Sequence, residues 1–249
     1  MSNEQKRMGA CMLCGQPLEQ IWLGYNLWVP KAHPECVEKR EQAEAEEKAT
    51  IQQAQIEARR AEMMSSDGQN SHGIAPQYHG ALITDLPNEK LVDNVRTFLD
   101  GKVAMLTLTG DPGTGKTRAL FAIYRQAVIE GKTCRYTKVP LLVKELQAAC
   151  GAGGSAELTM LRELMQYSGL LLLDELGQEK ATEFVINDLG IIIGEREQYD
   201  RSTAIATNCT FKEIADRIDK RIADRMAGGL VCKLLGHSKR LKRHEQTKE

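Results

Sequence analysis

The sequence predicts an α/β protein whose main domain is a parallel sheet flanked by helices. Beyond residue 80, short apolar runs alternate with amphipathic segments, as strands and helices do when they follow one another in a parallel sheet. The apolar run 103–109 leads directly into GDPGTGKT and then into a helical segment. A second run, 169–173, has four consecutive leucines, as expected of a strand buried on both faces. A small Cys/His-rich module and a helical linker precede this domain.

The first 36 residues contain two closely spaced pairs of metal-binding residue types. Cys11 and Cys14 form a C-x₂-C pair, and His33 and Cys36 form an H-x₂-C pair. Two such pairs supply the ligands of a tetrahedral structural Zn²⁺ site. A module of this size has too small a core to fold well without such support. We therefore predict a zinc-binding module, residues 1–36, in which protein side chains occupy all four coordination positions of the ion.

The charge of the N-terminal region favours a protein partner over DNA. Residues 1–64 carry slightly more acidic than basic side chains, whereas a phosphate-binding face is basic. Four large side chains of the module are typical of interface hot spots: Trp22, Tyr25, Leu27 and Trp28. The same side chains suit the small core over the metal equally well.

Two segments connect the module to the main domain. Residues 37–64 consist of strong helix formers with few large apolar side chains, which predicts a solvated helix that acts as a strut or packs on a partner. A soluble face of a small bundle is the alternative. Residues 65–80 are rich in Gly, Ser and Pro and predict a flexible linker. The main domain is expected over residues 81–235, followed by a basic tail, 236–249.

The GDPGTGKT segment has the composition and position of a nucleotide-binding P-loop. A strand, the pattern G-x₄-G-K-[ST] and a helix follow one another, so that backbone N–H groups and a helix N-terminus converge on phosphate groups. Lys116 is expected to reach the β- and γ-phosphates of ATP, and Thr117 is expected to bind Mg²⁺. The predicted ATP-binding set is Gly110, Asp111, Pro112, Gly113, Thr114, Gly115, Lys116, Thr117 and Arg118.

Polar residues end two further predicted strands. Asp174 and Glu175 follow the leucine run, and Asn208 ends the run 202–208. Because the carboxyl ends of parallel strands share one edge of the sheet, we expect these side chains beside the P-loop. Asp174 is suited to bind Mg²⁺, and Glu175 is suited to polarise the attacking water as a general base. Asn208 is expected to contact that water or the γ-phosphate.

The segment 211–226 has helical periodicity, with an apolar stripe of isoleucines that ends at Met226. Its arginines, which include Arg221 and Arg225, lie off this stripe. Such a row is usually a solvated face with acidic partners. In an oligomer, an arginine presented to the triphosphate of a neighbouring subunit stabilises the charge that develops during hydrolysis.

The order of GDPGTGKT, LLLLDELG, TAIATN and KRIADRM resembles the AAA+ ATPases of the DnaC-like helicase loader family, and is also similar to the transposition helper ATPases called IstB-like. The resemblance covers roughly residues 80–235 and implies an AAA+ P-loop fold. It implies these motif residues: Gly115, Lys116 and Thr117 of Walker A, Asp174 and Glu175 of Walker B, and Asn208 of sensor 1. It further implies that Arg225 is the arginine finger, with Arg221 in reserve, and that Arg240 fills the sensor 2 place.

Members of the loader family act as nucleotide-switched assemblies on single-stranded DNA and deliver a ring helicase to the strand. The resemblance implies self-association through the AAA+ domain, binding of a replicative helicase hexamer through the N-terminal module, and ATP hydrolysis that is weak without DNA or a partner. Lys180 and Phe184 are candidate DNA contacts, although Phe184 suits the core at least as well. Lys138 and Lys144 are further candidates. An IstB-like ATPase that assists a transposase is the alternative function.

The composition and motifs of the chain argue against several other classes of protein. A formal net charge of −1 provides no general attraction to nucleic acid. No stretch approaches the roughly 20 apolar residues of a membrane span, and no signal peptide is evident, so a cytoplasmic protein without a membrane partner is expected. A small-molecule kinase needs a basic lid and a substrate pocket, neither of which the sequence clearly indicates. A nucleotide-binding scaffold without turnover is a further alternative.

Overall fold

The computed structural model describes residues 6–25, 27–151, 155–178 and 183–236. The chain divides into two compact units, residues 1–58 and residues 59–249. Among the helices of the described ranges, none combines the length and the apolar character that a bilayer span requires.

The N-terminal unit begins with a small antiparallel sheet. Its strands are β1 (Lys6–Ala10), β2 (Pro17–Trp22) and β3 (Trp28–Val29). β2 is central and pairs with both neighbours. Among the described residues of this unit, Cys11 and Leu18 are the only buried apolar side chains. So small an interior does not stabilise three short strands alone, which agrees with the need for a metal cross-link.

A 31-residue helix, α1 (Pro34–Met64), follows the small sheet. Pro34 begins it, at a position where a missing N–H removes no intrahelical hydrogen bond. Arg40 and Glu44 pair at 2.8 Å across one helical turn. Met63 is the one buried side chain of this helix, which the structure describes throughout. The predicted strut, 37–64, lies within α1 and is held by helix propensity and exposed pairs.

The second unit contains a sheet of five strands. The strands are β4 (Met105–Thr109), β5 (Cys134–Lys138), β6 (Leu170–Leu176), β7 (Thr203–Thr207) and β8 (Leu230–Lys233). Their order is β5-β6-β7-β4-β8, and every pairing is parallel. The helices of this unit are α2 (Ser66–Ser71), α3 (Glu89–Leu99), α4 (Lys116–Ile129), α5 (Val139–Gly151), α6 (Ser155–Gln166), α7 (Glu183–Gln198), α8 (Phe211–Arg217) and α9 (Lys220–Gly228). The predicted parallel sheet flanked by helices is confirmed.

Alternate side chains of β6 are buried against helices on opposite faces of the sheet. Leu170 and Leu172 belong to the core that includes α3 and α4, whereas Leu171 and Leu173 belong to the core that includes α5, α6, α7 and α9. Both faces of this strand are covered, which explains why leucine occupies every position of the run. Truncation of any one of these leucines to alanine is expected to cost about 2–5 kcal/mol.

Residues 65–80 are packed, although their composition predicts a flexible linker. Ser65 caps α2, its Oγ accepting a hydrogen bond of 3.0 Å from Gly68 N. Ile74 is 1% exposed and joins the core formed with α3 and α4. The buried Gln69 accepts a hydrogen bond of 2.9 Å from Gly80 N through its Oε1. Turn-forming residues are present as predicted, but the segment is held in place by two buried residues, Ile74 and Gln69.

A buried arginine attaches the end of α1 to α4. Arg125 is 1% exposed, and its Nε and Nη2 donate to Met63 O at 3.1 and 2.8 Å. Its Nη1 donates to Ala81 O. Burial lowers the pKa of Arg125. Because Met63 lies in the last turn of α1, its carbonyl belongs to the negative end of the helix dipole and partly compensates the buried charge. Met63 and Ala81, which flank residues 64–80, are thereby both held by Arg125 of α4.

Candidate functional site

The loop between β4 and α4 is shaped by glycines with positive φ. Gly110, Gly113 and Gly115 have φ values of 143°, 84° and 104°, which glycine adopts readily and other residues do not. At Gly110, an added Cβ would lie 2.2 Å from the carbonyl oxygen of Leu234, the residue after β8. Backbone conformation and the close approach of a neighbouring chain segment therefore both require glycine at this position.

Hydrogen bonds within the loop hold its shape. Lys116 Nζ donates to Gly110 O at 2.6 Å and to Asp111 O at 2.8 Å. Thr114 Oγ1 donates to Asp111 O at 2.8 Å. Lys116 is 7% exposed and begins α4, whose N-terminal N–H groups and dipole favour an anion. An ammonium group and a helix N-terminus thus adjoin each other, which is the combination that binds phosphate groups.

The first acid of β6 contacts the threonine that follows the P-loop lysine. Thr117 Oγ1 donates to Asp174 Oδ2 at 2.8 Å, and Glu175 N donates to Asp174 Oδ1 at 2.9 Å. Asp174 is only 2% exposed, so these hydrogen bonds stabilise a carboxylate that water scarcely reaches. A hydroxyl and a carboxylate in contact are hard oxygen ligands that suit Mg²⁺. These two residues would hold the ion beside the phosphates.

The second acid lies at a local irregularity near the end of β6. Glu175 has φ of 64°, in the left-handed region, and the β6–β7 register shifts between Leu173 and Leu176. Such a bulge redirects a side chain at the end of a strand, and strain of this kind is often found at functional sites. The Glu175 carboxylate pairs with Lys138 Nζ at 3.0 Å. Hydrogen bonding to Glu175 raises the pKa of Lys138.

β5 supplies a partner to each of these acids. Tyr136 OH donates to Asp174 Oδ2 at 3.0 Å, and Lys138 pairs with Glu175. Burial, together with the charge of Asp174, raises the pKa of the Tyr136 phenol, which keeps it a proton donor. Tyr136 was not predicted as a site residue, and Lys138 was predicted only as a candidate DNA contact. The available signal is their spacing, since residues two apart on a strand share one face.

A cavity of about 590 Å³ brings the predicted nucleotide residues together. Predicted site residues that line it are Pro112, Gly113, Gly115, Lys116, Thr117, Arg118, Asp174, Glu175 and Asn208. Gly110, Asp111 and Thr114 instead shape the loop through the contacts given above. Gln77 and Tyr78, which belong to the predicted linker 65–80, also line the cavity. Arg118 pairs with Asp85 at 3.6 Å.

The two arginines on α9 have different surroundings. Arg225 pairs with Glu197 at 3.0 Å, and its guanidinium lies so close to Gly194 that an added Cβ there would be 2.5 Å from Nη1. Arg225 therefore attaches α9 to α7 of the same chain. Arg221 has a 74% exposed side chain that pairs with Asp219 at 3.0 Å. The sequence ranks Arg225 first as a finger, but in the described conformation Arg221 is the more accessible.

The predicted zinc ligands come together in the N-terminal unit. One ligand atom from each of Cys11, Cys14, His33 and Cys36 lies within 4.8 Å of the others. Cys14 Sγ is 3.5 Å from His33 Nδ1. Tetrahedral Zn²⁺ bonds of about 2.0–2.3 Å separate donor atoms by about 3.3–3.8 Å, so the cluster fits this ion with small adjustments.

Hydrogen bonds around this cluster orient His33 and favour the thiolate of Cys11, whereas hydrogen bonding to Cys14 raises the pKa of His33 and raises that of Cys36 to about 11. His33 Nε2 lies 3.1 Å from Pro17 O, and because a carbonyl only accepts, Nε2 carries the proton and Nδ1 offers its lone pair to the cluster. Burial opposes ionisation of Cys11, but hydrogen bonds from His33 N and other backbone groups outweigh it and lower the pKa of this thiol to about 6. A thiolate and a correctly oriented imidazole are the ligand forms that Zn²⁺ requires.

The aromatic residues of the module divide into packed and exposed groups. Trp22 and Trp28 pack on each other with ring centroids 5.1 Å apart, and the Arg7 guanidinium lies 4.1 Å from the Trp28 ring centroid. Tyr25 is fully exposed, and Leu27 is 41% exposed. The tryptophans thus support the module, while Tyr25 and Leu27 face solvent.

The candidate DNA contacts are only partly within the described chain. Lys144 is exposed on α5, and Lys138 is engaged by Glu175. Lys180 and the side chain of Phe184 lie outside the described residues, as does Arg240, which was predicted to fill the sensor 2 place. A role for these residues stays a prediction.

The chain is similar to known proteins in sequence and in fold. The family described as IstB-like ATP binding protein matches residues 57–247. The replicative helicase loader DnaC of Escherichia coli (strain K12) is 24% identical over 191 residues, covering 74% of this chain and 78% of that loader. A crystal structure of the DnaC helicase loader matches with a TM-score of 0.56 at 20% identity, over 65% of this chain and 100% of that one. A structure of the replication initiator DnaA bound to AMPPCP and single-stranded DNA matches with a TM-score of 0.57 at 19% identity, over 70% of this chain and 55% of that one. These likenesses show the AAA+ P-loop fold.

Proposed function

The chain belongs to the family of IstB-like ATP binding proteins, and on this premise we propose that it is an ATP-dependent loader that delivers a replicative DNA helicase onto single-stranded DNA. The observation that carries the proposal is the relation to DnaC, a helicase loader that is matched over 78% of its length. The meeting of the P-loop, the two acids of β6 and Asn208 at one cavity supports the role of ATP.

In the proposed cycle, Lys116 binds the β- and γ-phosphates, Thr117 and Asp174 hold Mg²⁺, and Glu175 polarises the attacking water. The ion, when bound, neutralises charge on the phosphate oxygens. Glu175 is paired with Lys138 at 3.0 Å, and this pairing competes with the attacking water for the carboxylate. Slow hydrolysis by the isolated chain follows, so the nucleotide acts as a timer of assembly and release.

Self-association would complete the proposed site. Arg221 projects from α9 with a 74% exposed side chain, and Asp219 restrains it at 3.0 Å. Neither Arg221 nor Arg225 lines the cavity of its own chain among the described residues. An exposed guanidinium reaching the triphosphate of a neighbouring subunit would stabilise the transition state and make hydrolysis depend on assembly.

The N-terminal unit is the proposed helicase-binding part. We define the module patch as Met12, Leu23, Tyr25 and Leu27, whose exposed fractions are 76%, 62%, 104% and 41%. Exposed apolar side chains on so small a unit are a feature of protein interfaces, where aromatic side chains contribute most of the binding energy. The slight acidic excess of residues 1–64 argues against DNA as the ligand of this unit.

Size-exclusion chromatography with the cognate replicative helicase tests the proposal. The full chain is expected to co-elute with the helicase, and Cys11→Ser/Cys14→Ser is expected to abolish this. Leu23→Ser should weaken co-elution, whereas Leu141→Ser, which changes a 53% exposed leucine on α5, should not. A helicase-loading assay on single-stranded DNA should then require ATP.

Two results would overturn loading as the function. Failure to co-elute with the helicase with and without ATP would remove the proposed partner. Co-elution with a cognate transposase instead would favour the alternative of a transposition helper, which the resemblance to IstB-like ATPases also implies. Neither result would affect the nucleotide chemistry, which Glu175→Gln tests separately through phosphate release.

A further inference from the structure

We propose that Tyr136 is a positioning residue for Mg²⁺ at the nucleotide site, where its hydroxyl orients the Asp174 carboxylate. The proposal rests on the proposed ATP-binding function and adds a residue to it. Tyr136 lies on β5, outside the P-loop and outside the acids of β6. Its hydroxyl donates to Asp174 Oδ2 at 3.0 Å.

Three donors surround the Asp174 carboxylate, and each constrains it differently. Thr117 Oγ1 and Tyr136 OH both donate to Oδ2, at 2.8 and 3.0 Å, and Glu175 N donates to Oδ1 at 2.9 Å. The torsion that rotates a carboxylate has a broad energy profile, so hydrogen bonds determine its orientation. Glu175 N belongs to the adjacent residue and Thr117 is itself a proposed ligand of the ion. Tyr136 is therefore the donor contributed from a separate strand.

The Tyr136 ring is held by packing that does not involve its hydroxyl. Its centroid lies 4.6 Å from that of Phe121 on α4, and Phe121 in turn stacks on Tyr78 at 5.0 Å. Phenylalanine would fill the same space and keep these ring contacts. The hydroxyl thus adds a hydrogen bond to Asp174 that the packing does not require.

Loss of this hydrogen bond should affect the metal more than the nucleotide. Oδ2 would keep a single donor, Thr117, in a site where Asp174 is 2% exposed and water cannot readily replace the phenol. In Tyr136→Phe, Thr117 would thus be the one residue of this pair that still donates to Oδ2, while its hydroxyl oxygen would also coordinate the ion. Removal of partners of metal ligands commonly lowers metal affinity about 10- to 100-fold. The phosphate contacts of the P-loop backbone do not depend on the hydroxyl.

The test is a Mg²⁺ titration of nucleotide binding by the full chain carrying Tyr136→Phe. Binding of a fluorescent ATP analogue is measured in EDTA and at increasing Mg²⁺ concentration. We expect the Mg²⁺ concentration at half-maximal binding to rise about 10-fold, with binding in EDTA unchanged within about twofold. Tyr124→Phe is the matched control, because Tyr124 belongs to the core against which Tyr136 packs and its hydroxyl hydrogen-bonds His72 Nδ1 at 3.2 Å, away from Asp174.

The outcomes separate this proposal from the proposed function. A Mg²⁺ titration of Tyr136→Phe that superimposes on that of the parent chain would overturn the positioning role. An equal loss of binding in EDTA would also overturn it, because the hydroxyl would then support the pocket as a whole. An equal shift in Tyr124→Phe would mean that removal of either phenol hydroxyl has this effect, and the positioning role would be overturned in the same way. Absence of ATP binding by the parent chain would overturn the ATP-dependent function, and this proposal with it.

Discussion

Replacement of Lys138 by methionine is expected to raise the basal ATPase rate of the chain. Methionine keeps most of the side-chain length but removes the charge that pairs with Glu175 at 3.0 Å. The Glu175 hydrogen bond raises the pKa of Lys138, so the lysine is charged throughout the neutral range. Without it, the Glu175 carboxylate is available to the attacking water for a larger fraction of the time.

The size of the effect follows from the exposure of the pair. The Lys138 and Glu175 side chains are 42% and 27% exposed, so solvent screens their attraction. We assign the pair about 1 kcal/mol, at the upper end of the range for exposed pairs. Because 1.4 kcal/mol is a factor of ten, this corresponds to about a fivefold change in the unpaired carboxylate population. Phosphate release should therefore rise about 3- to 5-fold in Lys138→Met, with the nucleotide Kd unchanged within about twofold.

Steady-state phosphate release at saturating ATP and Mg²⁺ is the assay. Lys138→Arg keeps the charge and should keep the low rate, and Lys144→Met removes an exposed charge on α5 as a control. Higher salt should raise the rate of the parent chain more than that of Lys138→Met, because salt screens a partly exposed pair. A rate in Lys138→Met at or below that of the parent chain would refute the view that this ion pair restrains Glu175.

Three further predictions concern stability, assembly and the metal. Burial raises the pKa of Asp188 to about 6, and its Oδ2 has no hydrogen-bond partner among the described residues. The folded chain thus favours the protonated carboxyl, and stability is lost as the pH rises from about 4 through about 6. Asp188→Asn should therefore raise Tm by several degrees near pH 8, by less near pH 5 and little near pH 4 in a thermal melt. Arg225→Ala should lower Tm because α9 loses its contact with α7. Arg221→Ala should leave Tm unchanged and remove the concentration dependence of ATP hydrolysis. The opposite pattern would contradict the choice of the exposed Arg221 as the arginine finger. A zinc chelator should change the tryptophan fluorescence of the module while ATP binding persists, and an unchanged spectrum after chelation would argue against a structural ion.

Features that depend on spacing along the chain could be predicted. The P-loop is contiguous, and its three glycines have the positive φ values that the motif requires. The leucine run of β6 indicated a strand covered on both faces and placed Asp174 and Glu175 at its end. The two closely spaced pairs of Cys and His residues likewise indicated the cluster of metal-ligand side chains. In each case a local pattern is enough to predict the feature, because the residues that form it are close together in the sequence.

Features that depend on which segments become neighbours could not be predicted in this way. Tyr136 is 38 residues from Asp174, and Lys138 is 37 residues from Glu175. They meet because β5 lies beside β6 in a register that sets Lys138 opposite Asp174. Composition alone also predicted a flexible linker over 65–80, where Ile74 is 1% exposed in the core. A linker composition does not reveal that one apolar side chain finds a buried position.

By itself, then, the sequence determined the fold class, the phosphate-binding loop, the two acids and the Cys/His cluster, because local spacing and residue chemistry specify them. Tertiary structure alone decided that Tyr136 and Lys138 serve those acids, that Gln77 and Tyr78 form part of the cavity, and that Arg225 is tied to α7 while Arg221 is exposed. The physical reason is that strand order and helix packing bring distant positions within hydrogen-bond range. No periodicity within a single segment encodes those distances.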